Sequence, residues 1–140
     1  MGKVKKVVID TNVFISAFGW GGTPLRIVKM LEKEVIRNCV SESILTELHH
    51  AIAYRKIAFP VKLQTSIMEY VLAYSDVYNP KKHLDITPDP DDNKFVECAL
   101  SADARFVITG DKGLLDLRKF QGVRLITPTE FLQQLVSNKQ

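Results

Sequence analysis

Short apolar runs rich in β-branched residues alternate along the chain with stretches whose apolar positions recur every three or four residues, which predicts strands interleaved with helices. Residues 3–10 (KVKKVVID) form a buried strand that leaves the sheet on an acid. Thr23, followed by Pro24, starts a helix whose stripe is Leu25, Val28, Leu31 and Val35. Residues 38–40 are a short strand, and Ser41 caps a helix carrying Ile44, Leu45, Leu48 and Ile52. Pro60 interrupts the chain before a helix over 61–74, with Leu63, Ile67, Tyr70 and Val71 in phase. A brief strand at 77–78 leads into 79–92, which holds three prolines and several acids, the composition of a surface loop. Helical periodicity resumes from Asp91 to about Ala102; residues 105–109 (RFVIT) and 123–126 are further strands, and Thr127-Pro128 opens a final helix. This order indicates an α/β protein, a three-layer α/β/α sandwich over a mostly parallel sheet with right-handed crossovers.

In such a sheet, ligands gather outside the carboxyl ends of the strands, and two acids stand at such ends: Asp10 after VVI and Asp111 after VITG. The helix beginning near Asp91 runs antiparallel to RFVIT, so its first turn lies at that same edge and brings Asp92 with it. Asp92 is also in phase with Phe95, Val96 and Ala99, which turns its carboxylate toward the packed side. Glu47 is the fourth acid, about a turn and a half into the helix that leaves the strand at 38–40, flanking Ile44 and Leu48. Four carboxylates drawn together repel one another unless a cation neutralises them. An all-oxygen set with no cysteine or histidine pair nearby suits Mg²⁺ or Mn²⁺ better than Zn²⁺.

The chain has 140 residues, which sets the expectation of one domain over 1–140 with its core at about 4–136. A content of 46% hydrophobic and 25% charged residues excludes a disordered chain. The apolar runs fall far short of the roughly 20 residues that cross a bilayer, and Met1-Gly2-Lys3 leads into a strand, not a signal peptide. Cys39 and Cys98 lack CxxC or Cys/His spacing and read as reduced core thiols, consistent with a cytoplasmic protein. The formal charge of +3 says little until the four candidate acids are set apart; 12 of the 16 acids then face 19 Lys and Arg, an excess of 7. That balance suits a polyanion, with Lys5, Lys6, Arg26, Lys29, Lys94, Lys112, Arg118 and Lys119 as candidates to neutralise phosphates.

The segments VVIDTNVFISAF, SESILTELHHAI, DPDDNKFVECALSADARFVITGDKGLL and ITPTEFL, in that order, resemble the PIN-domain nucleases, and among them the toxin components of prokaryotic type II toxin–antitoxin systems. The resemblance implies a PIN-like three-layer fold and a metal-dependent endoribonuclease in which Asp10, Glu47, Asp92 and Asp111 are the catalytic, metal-holding acids. It further implies that Asn12 and Thr109 support the metal or its ligands. Water attack in line with a leaving 3′-oxygen then gives a 5′-phosphate and a 3′-hydroxyl. RNA is the implied substrate and an antitoxin protein the implied partner. A homodimer is also implied, with the helix over 61–74 as a contact surface or a core element. One departure from the family is Gly113, where many members carry a further acid.

Other readings compete at single residues. Asp91 and Glu97 read as surface acids, and His49, His50 and His83 lack metal-ligand spacing. Gly21-Gly22-Thr23 is not GxxxxGK[ST] and reads as the start of a helix; Trp20 beside it is a loop anchor or a surface for stacking a base. VVIDTNVF approaches the strand-end motif of haloacid dehalogenase-type phosphatases, but Asn12 stands where their second acid belongs. A non-enzymatic alternative is a degenerate PIN fold that binds RNA or protein without cutting.

Overall fold

In the computed structural model, which describes residues 4–137, strand β1 (Lys5–Ile9) lies between β2 (Ile36–Ser41) and β4 (Phe106–Ile108). Outside β2 stands β3 (Ser75–Tyr78); beyond β4 come β6 (Val123–Ile126) and the two-residue β5 (Lys119–Phe120). The sheet order is therefore β3-β2-β1-β4-β6-β5, parallel throughout except for the β5–β6 pair. The chain winds outward from β1 to β3 and returns to β4 on the other side of β1, so the order reverses between β1 and β4. Such a reversal opens a crevice at the strand ends. The first strand begins at Lys5; Lys3, where the pattern starts it, lies outside the described residues.

The described residues hold seven α-helices, six between strands and one after the last: α1 (Thr11–Trp20), α2 (Gly22–Glu32), α3 (Glu42–Ile52), α4 (Val61–Ala73), α5 (Asn93–Ala102), α6 (Lys112–Leu115) and α7 (Pro128–Ser137). With right-handed crossovers, the reversal after β3 puts α5 on the opposite face from the helices before it. Both faces are thereby covered, and Val7, Val8 and Ile9 are fully buried, as an unbroken β-branched run requires. On α5, Phe95, Val96, Cys98, Ala99 and Ala102 pack inward, while Phe131 of α7 meets Phe106 of β4 edge to face, centroids 5.4 Å apart. Cys39 and Cys98 are buried free thiols, as their spacing predicts. Among the described residues no helix is long and apolar enough to cross a membrane.

Two elements escape the hydrophobic pattern. Helix α1 buries Val13, Phe14, Ile15 and Ala17 in near succession, so no polar stripe marks its period. It joins α2 through Gly21, whose φ of 78° places its N–H on the carbonyls of Ser16 and Ala17, and α2 accordingly starts at Gly22 and not after Thr23. The β5–β6 hairpin turns on Gln121 and Gly122, both at positive φ, and two-residue strands carry no alternation to read.

The residue that holds the end of β1 in place is Asn38. Its side chain is fully buried on β2; Oδ1 accepts the Ile9 N–H at 3.1 Å and Nδ2 donates to Ser75 Oγ at 2.9 Å, so one amide ties β1 to β3 across β2. Asn38→Ala is expected to lower unfolding stability by about 1–3 kcal/mol, the cost of leaving a buried N–H unmatched. Urea denaturation measures it, and an unchanged midpoint would mean that the Ile9 amide finds another partner.

Candidate functional site

Each of the four acids sits where it does for a local reason. Asp10 is the N-cap of α1, accepting the Asn12 N–H at 3.3 Å, and Asp111 caps α6 by accepting the Leu114 N–H at 3.0 Å. Ser41 caps α3 and so sets the register that carries Glu47 to its position. Asp92 closes a 3₁₀ turn over Pro90–Asp92 whose cap is Asp89, leaving the Asp92 carboxylate without a capping bond. The N-terminal ends of α1, α3 and α5 therefore meet at one sheet edge, where their dipoles favour negative charge.

The acids are brought together chiefly by Thr109, a fully buried residue that follows β4. Its hydroxyl donates to Asp10 Oδ2 at 2.7 Å and accepts the Asp111 N–H at 2.9 Å, linking the two strand-end acids. Asp10 is buried, and desolvation, opposed by its hydrogen bonds from Thr109 and Asn12, raises its pKa; the charges of Glu47 and Asp111 raise it further. Asp92 is pushed up to about 7, first by burial, then by the charge of neighbouring Asp111 and a hydrogen bond to it, with smaller contributions from Asp89 and Asp10. A Cβ placed on Gly113 would come within 3.1 Å of Asp111 Oδ2 and 3.9 Å of Asp92 Oδ2, so the glycine stands directly against this pair.

Glu47 is differently placed. Its Oε2 accepts from Thr11 Oγ1 at 2.6 Å and its Oε1 from Lys94 Nζ at 3.0 Å, so both oxygens already have partners. As the side chains stand, no three His, Cys, Asp or Glu groups among the described residues are arranged to hold one metal ion. Glu47 and Lys94 also line an open groove of about 940 Å³ between α3, the loop after β3 and the start of α5, with Asn12, Tyr54, His50 and His83 on its walls. Asn12 supports Asp10 through its backbone N–H, while its side chain is exposed toward the groove.

One acid departs from its sequence reading. Glu97 is not a surface acid: its side chain is 14% exposed and accepts the Leu84 N–H at 2.8 Å, fastening the loop to α5. Trp20 is 73% exposed, its ring 6.5 Å from that of Phe59. The basic candidates do not share a face. Lys94 and Lys112 lie at the acidic edge, Lys112 paired with Asp116, whereas Lys6 donates to the carbonyl of Ala102 at the opposite edge, where α5 ends. Residues missed by the pattern are Thr11, whose hydroxyl holds Glu47, and Asn93, whose Oδ1 accepts from the backbone of Ile86 and Thr87 and from the Thr87 hydroxyl. A polar residue at the head of an apolar helix was the available signal for both.

Residues 6–113, a stretch that includes all four acids, match the PIN domain family, and the chain belongs to that family of nucleases. It is 37% identical to the uncharacterized protein MJ1680 of Methanocaldococcus jannaschii, over 96% of this chain and 94% of that one. Its fold is similar to that of a chain in the crystal structure of VapBC2 from Rickettsia felis bound to a DNA fragment from their promoter. The TM-score is 0.59 at 13% identity, covering 86% of this chain and 96% of the other.

The Asp92 carboxyl titrates near 7 in the folded protein against an ordinary value of 3.8, so its proton stabilises the fold at low pH and that contribution is lost as pH rises through 7. Metal-free protein is therefore expected to be less stable at pH 8 than at pH 5. Asp92→Asn should remove much of that slope and stabilise the metal-free protein at pH 8 by about 1–2 kcal/mol, a figure reduced for solvent screening of a partly exposed group. Thermal denaturation in chelator at the two pH values measures both effects.

Proposed function

We propose that this protein is an endoribonuclease that hydrolyses RNA phosphodiester bonds with Mg²⁺ or Mn²⁺, acting as the toxin of a toxin–antitoxin pair. The observation that carries the reading is the meeting of Asp10, Asp92 and Asp111 at the β1/β4 crevice, where burial first and neighbouring negative charge second raise the pKa of Asp10 and Asp92. Carboxylates drawn together at a partly buried edge are stabilised by a cation, and their all-oxygen donors fit a hard dication. Asp10, Glu47, Asp92 and Asp111 are the residues that would hold it.

When bound, the ion supplies Lewis-acid stabilisation of charge developing on the phosphate and leaving oxygen and makes the attacking water more acidic. The chain's own contribution is placement. Thr109 fixes the orientation of the Asp10 carboxylate, α6 fixes Asp111 through the Leu114 N–H, and the dipoles of α1, α3 and α5 offset negative charge at the edge where a phosphate would sit. The groove beside Glu47 offers room for nucleotides flanking the cut, with Tyr54 available to stack on a base.

The reading of a homodimer rests on the resemblance to toxin components, with α4, which buries Ile67 and Val71 and leaves Val61 and Leu72 exposed, as its candidate contact surface. The reading of an antitoxin partner rests on the resemblance to toxin components and the fold shared with the VapBC2 chain. One observation favours a second reading, a PIN fold that binds RNA without cutting: Glu47 is occupied by Lys94, and no three-ligand set is formed.

Incubating the protein with a mixed RNA pool and Mn²⁺ is expected to yield cuts with 5′-phosphate and 3′-hydroxyl ends that vanish with chelator. Asp10→Asn should lower the rate by about a hundredfold or more while leaving the fold intact by circular dichroism. Cyclic 2′,3′-phosphate ends, or Asp10→Asn cutting at the wild-type rate, would overturn the mechanism. RNA retained without cleavage would select the binding reading.

A further inference from the structure

The acids of this site are not alike. Asp10 takes hydrogen bonds from the Thr109 hydroxyl and the Asn12 N–H, both neutral donors, whereas Glu47 has a cation of its own in Lys94, at 3.0 Å, and a hydroxyl donor in Thr11, at 2.6 Å. The Glu47 and Lys94 side chains are only 29% and 17% exposed, so water screens their attraction less than it would at the surface. Each carboxylate oxygen of Glu47 has one short donor and keeps a lone pair, so what opposes a second cation there is the positive charge of the Lys94 ammonium 3.0 Å away. The ammonium also has somewhere else to go, because Lys94 lines the groove together with Asp91, an exposed acid in the turn before α5, and Glu97 further along α5.

We propose that Lys94 is a positioning residue that competes with the metal for Glu47. In the metal-free protein the Lys94–Glu47 pair keeps Glu47 out of the ligand set, and the three aspartates alone meet an incoming cation. Glu47 joins them only when Lys94 swings into the groove. This inference rests on the metal-site reading given above.

The test is Mn²⁺ binding by isothermal titration calorimetry on the intact protein without RNA. Lys94→Met removes the competing charge and is expected to tighten the Mn²⁺ Kd about fivefold, the worth of one partly screened ion pair. Lys94→Arg, which keeps the pair, should bind as the wild type does. In an E47Q background the Lys94→Met gain should disappear, since the gain acts through Glu47. Lys94→Gln provides a second neutral variant if Lys94→Met fails to fold by circular dichroism.

Normal wild-type binding with no tightening, or with weaker binding, in the neutral variants overturns the competition and leaves the metal site standing. Tightening that persists in E47Q also overturns it, because Lys94 would then act as a general positive charge. No Mn²⁺ binding in the wild type or any variant overturns the metal-site reading, and the competition falls with it.

Discussion

One hydroxyl group joins the two halves of the site. Thr109 donates to Asp10 at the end of β1 and accepts from the Asp111 backbone two residues past its own position, so a single buried oxygen couples the ends of two neighbouring strands. The reversal of strand order between β1 and β4 opens the crevice, and Thr109 sets how closely the acids on its two sides approach. Asn38 does comparable work from the β2 side by holding the Ile9 amide, so the chain leaves β1 for Asp10 along a defined path. The raised pKa values of Asp10 and Asp92 reflect the burial of that edge first and the negative charge of the neighbouring acids second.

The same residues serve folding and chemistry. Asp10 and Asp111 each cap a helix, which gives an acid a stabilising role at a position where it also faces like charge. Gly113 adds no side chain against Asp92 and Asp111. A further acid at that position would deepen the charge deficit, so its replacement by glycine eases the metal-free state. Around Glu47 the chain uses another solution, an internal ammonium held within hydrogen-bonding distance. The site thus meets its negative charge in two ways, through the raised pKa of Asp92 among the aspartates and through ion pairing at the glutamate.

What was legible in the amino-acid order was whatever depends on local geometry. The β-branched runs ending in Asp10 and before Asp111, the Ser41 cap, the antiparallel return of α5 and the edge shared by all four acids follow from strand and helix direction alone. Helix α1 and strand β5 were not legible, one because it is apolar on nearly every side and the other because two residues carry no period. Glu97 read as a surface acid because its value lies in a backbone N–H thirteen residues upstream, a partner that periodicity does not name.

The sequence by itself therefore determined which acids reach the edge, since a strand end and a helix start are one-dimensional features with a known direction. Only the tertiary structure decided how those acids are partnered. Thr11 and Lys94 reach Glu47 from 36 and 47 residues away, and Thr109 reaches Asp10 from 99. Such pairings depend on distances of about 3 Å between side chains, which arise only when separate elements pack at a fixed angle and depth. Hydrophobic patterning sets which faces meet, but two ångströms of sliding along those faces would leave the pattern intact and break every one of these bonds.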